Sequence, residues 1–365
     1  MCGYWQKKPL LIRRAIPDFQ GLLTHNDLIQ LASQEAVQSR LILQRNDHWI
    51  VKHGPLNLRK VSKKDPSTLL VHDVNHYYSW ARDLLMKFRF IPYARLDDLM
   101  ISYATKGGGI GPHIDSYDVF LLQGQGAKRW QISSQQDTRL IEDAPLKILR
   151  QFVPEQEWVL ESGDMLYLPP NYAHHGVAEN DCMTYSIGFR APSHQELMVQ
   201  FLTYMQDHLK ADGWYQDPDL QRPVNPAIIS SAMLHQTKRI VDSIKWRNMD
   251  IENFLGIYLT EPKPNVFFNR PSNPFSRKNF IQQVKKYGVQ LDLKTRMLVR
   301  KKKMFINGEL HMIGAGDARE TLKELAGEQE IRPCSELDDE TNDLLYQWYL
   351  YGYIVLINEV NCYFK

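Results

Sequence analysis

The sequence is poor in cysteine: its 365 residues include only Cys2, Cys182, Cys334 and Cys362, with no C-x-x-C pair among them. That excludes a zinc knuckle and a disulfide framework, and it fits a reduced compartment. Long apolar runs are missing too, since no uncharged stretch approaches the ~20 residues that span a bilayer. The opening MCGYWQKKPLLIRRAIPDF is basic, but Pro9, Arg13 and Arg14 break its apolar run, so it does not read as a secretory signal. Nor is there a charge excess: 44 basic and 42 acidic residues leave a formal +2, so overall charge selects neither nucleic acid nor membrane. A cytoplasmic protein without membrane contact is expected.

What is present falls into three textures. Up to residue 192, short β-rich runs such as DDLMISYA, YDVFLLQG, KRWQISS and GDMLYLPP alternate with Gly, Pro and Asn. That spacing predicts a mainly β fold, a sandwich or barrel, with helices added at Asn26 to Val37 and Thr68 to Phe88. Residues 193–262 read as helical. Ser193 and Glu196 form a capping pattern ahead of Leu197, Phe201, Leu202, Met205 and Leu209 on one face. Further helices are expected from Pro226 to Trp246 and from Ile251 to Leu259. So thin a helical layer has too little core to stand alone, which points to packing on the barrel or on a second copy, a homodimer.

The Pro- and Asn-rich link from Glu261 to Pro274 precedes a third region, 275–365. There Asn307-Gly308 between two strand-like runs signals a hairpin. Thr321 to Leu325 and Asp338 to Leu350 read as helices, and YIVLINEVNCYF as one or two closing strands. Helices plus a hairpin suggest a winged-helix-like domain.

The chemistry concentrates in GGGIGPHIDSYDVF. On a strand, His113 and Asp115 project to one side while Ile114 points away. Farther on, Gly163, Pro169, Asn171 and His174 match the spacing of cupin-type double-sheet barrels (jelly rolls), with Asn in a glycine slot that needs the left-handed conformation. That spacing favours His174 over the adjacent His175. Two imidazoles and a carboxylate, with His174 about sixty residues after His113 and Asp115, make the facial triad of non-haem iron(II) oxygenases. The opposite face of the metal then stays open for a chelating 2-oxo acid and dioxygen.

Such an acid needs a cation for its far carboxylate. In Ala127-Lys-Arg-Trp-Gln-Ile132, alternation sets Lys128 on the apolar face with Trp130 and Ile132, a costly place unless it meets an anion. Reaching the barrel rim to water is the alternative for Lys128. Ser102 and Thr184 are candidate hydroxyl donors to the same carboxylate.

With these residues in hand, the chain resembles the JmjC-domain oxygenases, and more narrowly the ribosomal oxygenases with their bacterial L-sixteen arginine hydroxylase branch. The resemblance is carried by DDLMISYATKGGGIGPHIDSYDVFLLQGQGAKRW, GDMLYLPPNYAHHGVAEN and TYSIGFRAP, with YWQKKPLLIRRA similar to the family's start. It implies Fe(II)-, 2-oxoglutarate- and dioxygen-dependent hydroxylation at the β-carbon of an arginine in a large-subunit ribosomal protein. It also implies a JmjC barrel, a helical dimerisation segment and a C-terminal winged helix. The family's triad falls on His113, Asp115 and His174, and its basic 2-oxoglutarate residue on Lys128, where some members have Arg. His175 departs from the acidic residue of close relatives. To hold a guanidinium, the pocket needs a planar acceptor or an aromatic face: Asp118 and Tyr117 are candidates, with Tyr103 behind them. A structural salt bridge is the alternative for Asp118.

Rival readings remain. N-methyl-lysine demethylation would use the same iron chemistry. The ten basic residues against one acidic between Arg277 and Lys303 allow a non-catalytic assembly factor touching ribosomal RNA, or simply a solvated face. His72 and His76 lie a helical turn apart as in zincins, but the Glu base of that motif is absent.

Overall fold

The computed structural model describes residues 3–45, 48–57, 66–218, 220–222, 224–314, 316–333 and 337–357. Cys2, Cys334, Cys362 and the end of the closing run lie outside these residues. Cys182 is buried and free. Among the described residues no helix is long and apolar enough to cross a membrane.

The chain forms two compact units. The first comprises Met1–Ala191, Pro262–Thr295 and Glu320–Lys365. Its strands are Leu10–Ile12 (β1), Ser39–Arg45 (β2), His48–His53 (β3), Ser67–Val71 (β4), Leu96–Ala104 (β5), His113–Ile114 (β6), Val119–Gln123 (β7), Lys128–Ser133 (β8), Gln156–Leu160 (β9), Met165–Leu168 (β10), Ala173–Ala178 (β11) and Cys182–Phe189 (β12). They build an eight-stranded sheet in the order β1-β10-β7-β12-β5-β4-β2-β3 and a four-stranded sheet in the order β6-β11-β8-β9.

Alternation along β7 shows how the layers stack. Val119 and Leu121 join Trp130, Ile132, Leu160, Leu166 and Leu168 in one core. Phe120 and Leu122 join the opposite core, with Leu28 and Leu31 of helix His25–Ala32 (α1) and Leu84 and Leu85 of helix Ser79–Met86 (α2). The large sheet is therefore covered on both sides, which is why all five residues of β7 are buried. This is the expected double-sheet barrel with added helices.

Local differences from the sequence reading have simple causes. The run expected as one helix from Thr68 to Phe88 divides into β4, a short turn of helix at Val74–His76, and α2. Leu69, Leu70 and Val71 are all buried, and a contiguous apolar run on a doubly covered strand carries no period to tell it from a helix. His72 and His76 consequently do not share a helical face. The first helix ends at Ala32 instead of Val37.

The second unit, Pro192–Glu261 with Arg296–Arg319, contains helices His194–His208 (α3), Ser231–Asp242 (α4) and Asn248–Thr260 (α5), and a sheet of Met297–Arg300 (β14), Lys303–Ile306 (β15) and Glu309–Met312 (β16). Strands β15 and β16 form the hairpin expected at Asn307-Gly308. Ser193 caps α3 by accepting from the Glu196 N–H. The remaining C-terminal elements, strands Val289–Leu291 (β13), Glu330–Ile331 (β17) and Ile354–Leu356 (β18) with helices Arg277–Tyr287 (α6) and Asp339–Tyr351 (α8), belong to the first unit; helix Asp317–Glu328 (α7) begins in the second unit and continues in the first. Residues 275–365 are thus shared between the units. A side chain at Gly256 of α5 would overlap Phe305 of β15, so helix and hairpin touch too closely to be separate bodies.

Candidate active site

Strands β6 and β11 pair antiparallel, with His113 directly opposite His174. Their rings lie 4.2 Å apart between centroids. Nδ1 of His113 is 2.9 Å from the Gly111 carbonyl, and Nδ1 of His174 is 3.0 Å from that of Tyr172. A carbonyl only accepts, so each Nδ1 carries the proton and each Nε2 keeps its lone pair. Asp115 Oδ2 is 3.7 Å from His174 Nε2. One ligand atom from each of His113, Asp115 and His174 lies within 4.8 Å of the others. This is a donor set that suits one divalent transition metal.

Burial, reinforced by His113, pushes the His174 imidazole down to about 4 against the pull of Asp115. It is therefore neutral near pH 7, as a metal ligand must be. Asn171, at φ +66°, makes the left-handed corner that brings β11 to this place, and its N–H donates to the Asp115 carbonyl. His175 faces the other way: it pairs with outward-facing Gln131 and meets the Phe152 ring edge-on.

The three residues open into a cavity of about 250 Å³. Lys128 lines it, only 3% exposed, its Nζ 4.7 Å from the centre of the Trp130 ring. Gly176 makes room for it, since a Cβ there would come 2.8 Å from Lys128 Cε. Burial lowers the Lys128 pKa, and no carboxylate among the described residues forms an ion pair with it. The Trp130 indole N–H beside it has no acceptor among the described residues. A buried ammonium and a buried indole N–H without partners among the described residues are costly unless they meet an anion, and suit a bound carboxylate.

Ser102 and Thr184 are opposite each other on β5 and β12 and both line the cavity. Their availability differs. The Gln123 amide nitrogen donates to the Gln125 carbonyl, so its oxygen accepts the Thr184 hydroxyl proton at 3.0 Å. Ser102 is the hydroxyl left to serve an anion.

Asp118 is not on the cavity wall. Fully buried, it accepts from the Tyr167 hydroxyl at 2.6 Å, the Gln6 amide at 2.9 Å and Arg95 at 3.2 Å, which is the structural ion pair rather than a substrate contact. Tyr103 also lies elsewhere, on the face of β5 opposite Ser102, where its hydroxyl donates to Asp181 and its ring stacks on His25. Tyr117 does line the cavity. Desolvation and the nearby Asp115 raise its phenol pKa, so it stays protonated.

Sequence reasoning missed the acidic end of this cavity, although alternation carried the signal. Asp98, Met100 and Ser102 share one face of β5, and Thr184, Ser186 and Gly188 share one face of β12; all six line the cavity. Ser102 and Asp98 are separated by four residues of strand, about 13 Å, so the cavity is polarised from a cationic end at Lys128 to an acidic end at Asp98. At a bulge in β12, Gly188 leaves Asp98 uncovered, for a Cβ there would lie 3.0 Å from Asp98 Oδ1.

Comparison with known proteins agrees with this geometry. Residues 83–197 match the JmjC domain, and residues 243–354 match the ROXA-like winged helix. The chain is 31% identical over 310 residues to the ribosomal protein uL16 3-hydroxylase of Escherichia coli, spanning 84% of this chain and 83% of that protein. It is 40% identical over 223 residues to a probable ribosomal oxygenase of Haemophilus influenzae, spanning 60% of this chain and 53% of that one. Among solved structures, E. coli ycfD superposes with a TM-score of 0.85 at 28% identity, covering 96% of this chain and 95% of that one. The same protein in complex with cobalt and 2-oxoglutarate superposes with a TM-score of 0.80, also at 28% identity, over 96% of this chain and 95% of that one. The chain belongs to the JmjC-domain ribosomal oxygenases.

Proposed function

We propose that this protein is an Fe(II)- and 2-oxoglutarate-dependent dioxygenase that hydroxylates the β-carbon of an arginine in the large-subunit ribosomal protein uL16. The observation that carries this reading is the convergence of His113, Asp115 and His174 beside a buried lysine that has no ion pair among the described residues. It is supported by the similarity to a uL16 3-hydroxylase over most of both chains.

In this reading the two Nε2 atoms and the Asp115 carboxylate hold iron, and Lys128 with Ser102 holds the far carboxylate of 2-oxoglutarate. The bound metal and cosubstrate supply the oxidising chemistry, in which dioxygen gives one oxygen atom to a C–H bond and one to succinate. The chain's own residues orient and exclude. Val119, Leu121 and Trp130 keep water from the cavity wall, and the Nδ1 hydrogen bonds fix the direction of both imidazoles. Asp98 Oδ1 accepts the substrate guanidinium, and Tyr117 offers a ring face and a hydroxyl.

The second unit supports a homodimer. Met198, Val199 and Leu202 on α3 and Met233, Leu234, Ile240 and Val241 on α4 are exposed, an apolar surface that a second copy of this chain would cover. The RNA contact has less support, because Arg300 and Lys303 both spend their charge on Glu252. A ribosomal substrate supports a cytoplasmic location.

The test is direct. Purified protein given Fe(II), 2-oxoglutarate and uL16 should add the mass of one oxygen atom at a single arginine and release succinate. Succinate release without a mass gain on uL16 would leave the oxygenase and remove the substrate.

A further inference from the structure

A cation of the chain's own lines the acidic end of the cavity. Lys263, in the segment that follows α5, lines the cavity. Its Nζ lies 2.7 Å from Asp73 Oδ1 and 3.5 Å from Asp97 Oδ1. Asp73 is buried, in the left-handed conformation at φ 54°, and its N–H donates to Asp98 Oδ2 at 3.3 Å. His72 Nδ1 faces the same oxygen at 3.7 Å. Asp98 itself is 9% exposed, and its Oδ1 has no partner among the described residues. Three carboxylates therefore meet here; Lys263 is shared by two of them, Asp97 also pairs with Arg190 Nε at 3.4 Å, and Asp98 presents Oδ1 to the cavity.

Resting on the arginine reading above, we propose that Lys263 is a specificity-determining residue that makes this subsite accept a guanidinium and reject an ammonium. An ammonium is a compact, strongly hydrated charge that needs several acceptors to replace its water; a guanidinium is weakly hydrated, planar and able to stack. With Asp73 held by Lys263 and Asp97 shared between Lys263 and Arg190, Asp98 Oδ1 and the Tyr117 ring face are left to meet the substrate. That set satisfies a weakly hydrated, stacking guanidinium and leaves an ammonium short of acceptors. Lys263 thus selects against lysine-type substrates by occupying the acceptors an ammonium would need. Without its charge, Asp97 keeps the compensation of Arg190, 3.4 Å away, but loses that of Lys263, and together with Asp98 it offers an ammonium more acceptors.

The test uses two peptides identical except for Arg or Lys at the hydroxylated position, compared by kcat/KM from oxygen gain and by peptide affinity. K263M should cut the arginine preference about tenfold or more, chiefly through KM for the lysine peptide, while KM for 2-oxoglutarate stays put. K263R, which keeps the charge, should restore the preference. Should K263M fold poorly because Asp73 loses its partner, D73N/K263M replaces the buried pair by neutral groups and should show the same loss of preference. Full arginine preference in folded K263M or in D73N/K263M overturns the role of Lys263 while the enzyme's function stands, and so does failure of K263R to restore it. A wild-type protein that modifies neither peptide overturns the arginine reading and this inference with it.

Discussion

His113 and His174 face each other across paired strands, and each ring donates its Nδ1 proton to the carbonyl two residues before it, Gly111 and Tyr172 respectively. Both lone pairs are thereby fixed on the same side, toward Asp115. Losing an outer-shell partner of a metal ligand typically weakens binding ~10–100-fold, so removing a ligand itself should exceed that range. H113A and H174A are expected to lose Mn(II) or Co(II) binding by calorimetry and all turnover. H175A is expected to retain both, because that ring packs on Phe152. Loss of metal in H175A with retention in H174A would reverse the assignment.

Lys128 predicts a pH dependence of known sign. Burial lowers its pKa, so the folded chain binds this proton less tightly than the unfolded chain does. Stability from this group rises with pH between the lowered value and the usual lysine value, and below that window the buried ammonium is a cost. A bound carboxylate raises the value again. Binding of 2-oxoglutarate should therefore take up a proton where pH exceeds the free-enzyme value, and its affinity should fall as pH rises through that value. Calorimetry in buffers of different ionisation enthalpy measures the uptake. K128M should weaken 2-oxoglutarate about 30-fold or more without lowering Tm, since it removes an unpaired buried charge. Affinity that rises with pH, or K128M that binds normally, would remove Lys128 from this role.

The contrast between Lys128 and Asp118 shows what was legible in the sequence. Lys128 sits inside the regular strand β8, where alternation alone puts it with Trp130 and Ile132, and all three are buried. His174 was likewise favoured over His175 by a spacing in which Asn171 takes the left-handed corner. Asp118 precedes β7, outside any regular period, and its surroundings come from Gln6, Arg95 and Tyr167, far apart in sequence and joined only by tertiary folding. Lys263 was hidden for the same reason. Asp98 was not hidden: it shares the face of Ser102, and the alternation that selected one hydroxyl also selected a carboxylate four residues earlier.

Asp118 should accordingly behave as a stability residue. D118A leaves Arg95 and the Tyr167 hydroxyl without their common acceptor in a fully buried place. Breaking a buried pair in this way costs about 3–5 kcal/mol. Urea unfolding should show that loss, while the folded fraction keeps its KM for 2-oxoglutarate. An unchanged midpoint with a raised KM for uL16 would return Asp118 to the substrate site.

Asp98 and Gly188 together make the sharper test of the substrate end. D98N keeps the shape of the side chain and its contact with the Asp73 N–H but removes the charge that a guanidinium needs. Hydrogen bonds to charged groups are worth about 1.5–3 kcal/mol, so kcat/KM for the arginine substrate should fall about 10–100-fold, with 2-oxoglutarate affinity unchanged because the cosubstrate end lies about 13 Å away along β5. G188A reaches the same oxygen by obstruction: its Cβ would stand 3.0 Å from Asp98 Oδ1, leaving the charge in place but covering it. The two variants should therefore both raise KM for the substrate, and their double mutant should be no worse than D98N alone, since a covered amide has nothing further to lose. Additive losses would mean that Gly188 acts on something other than Asp98.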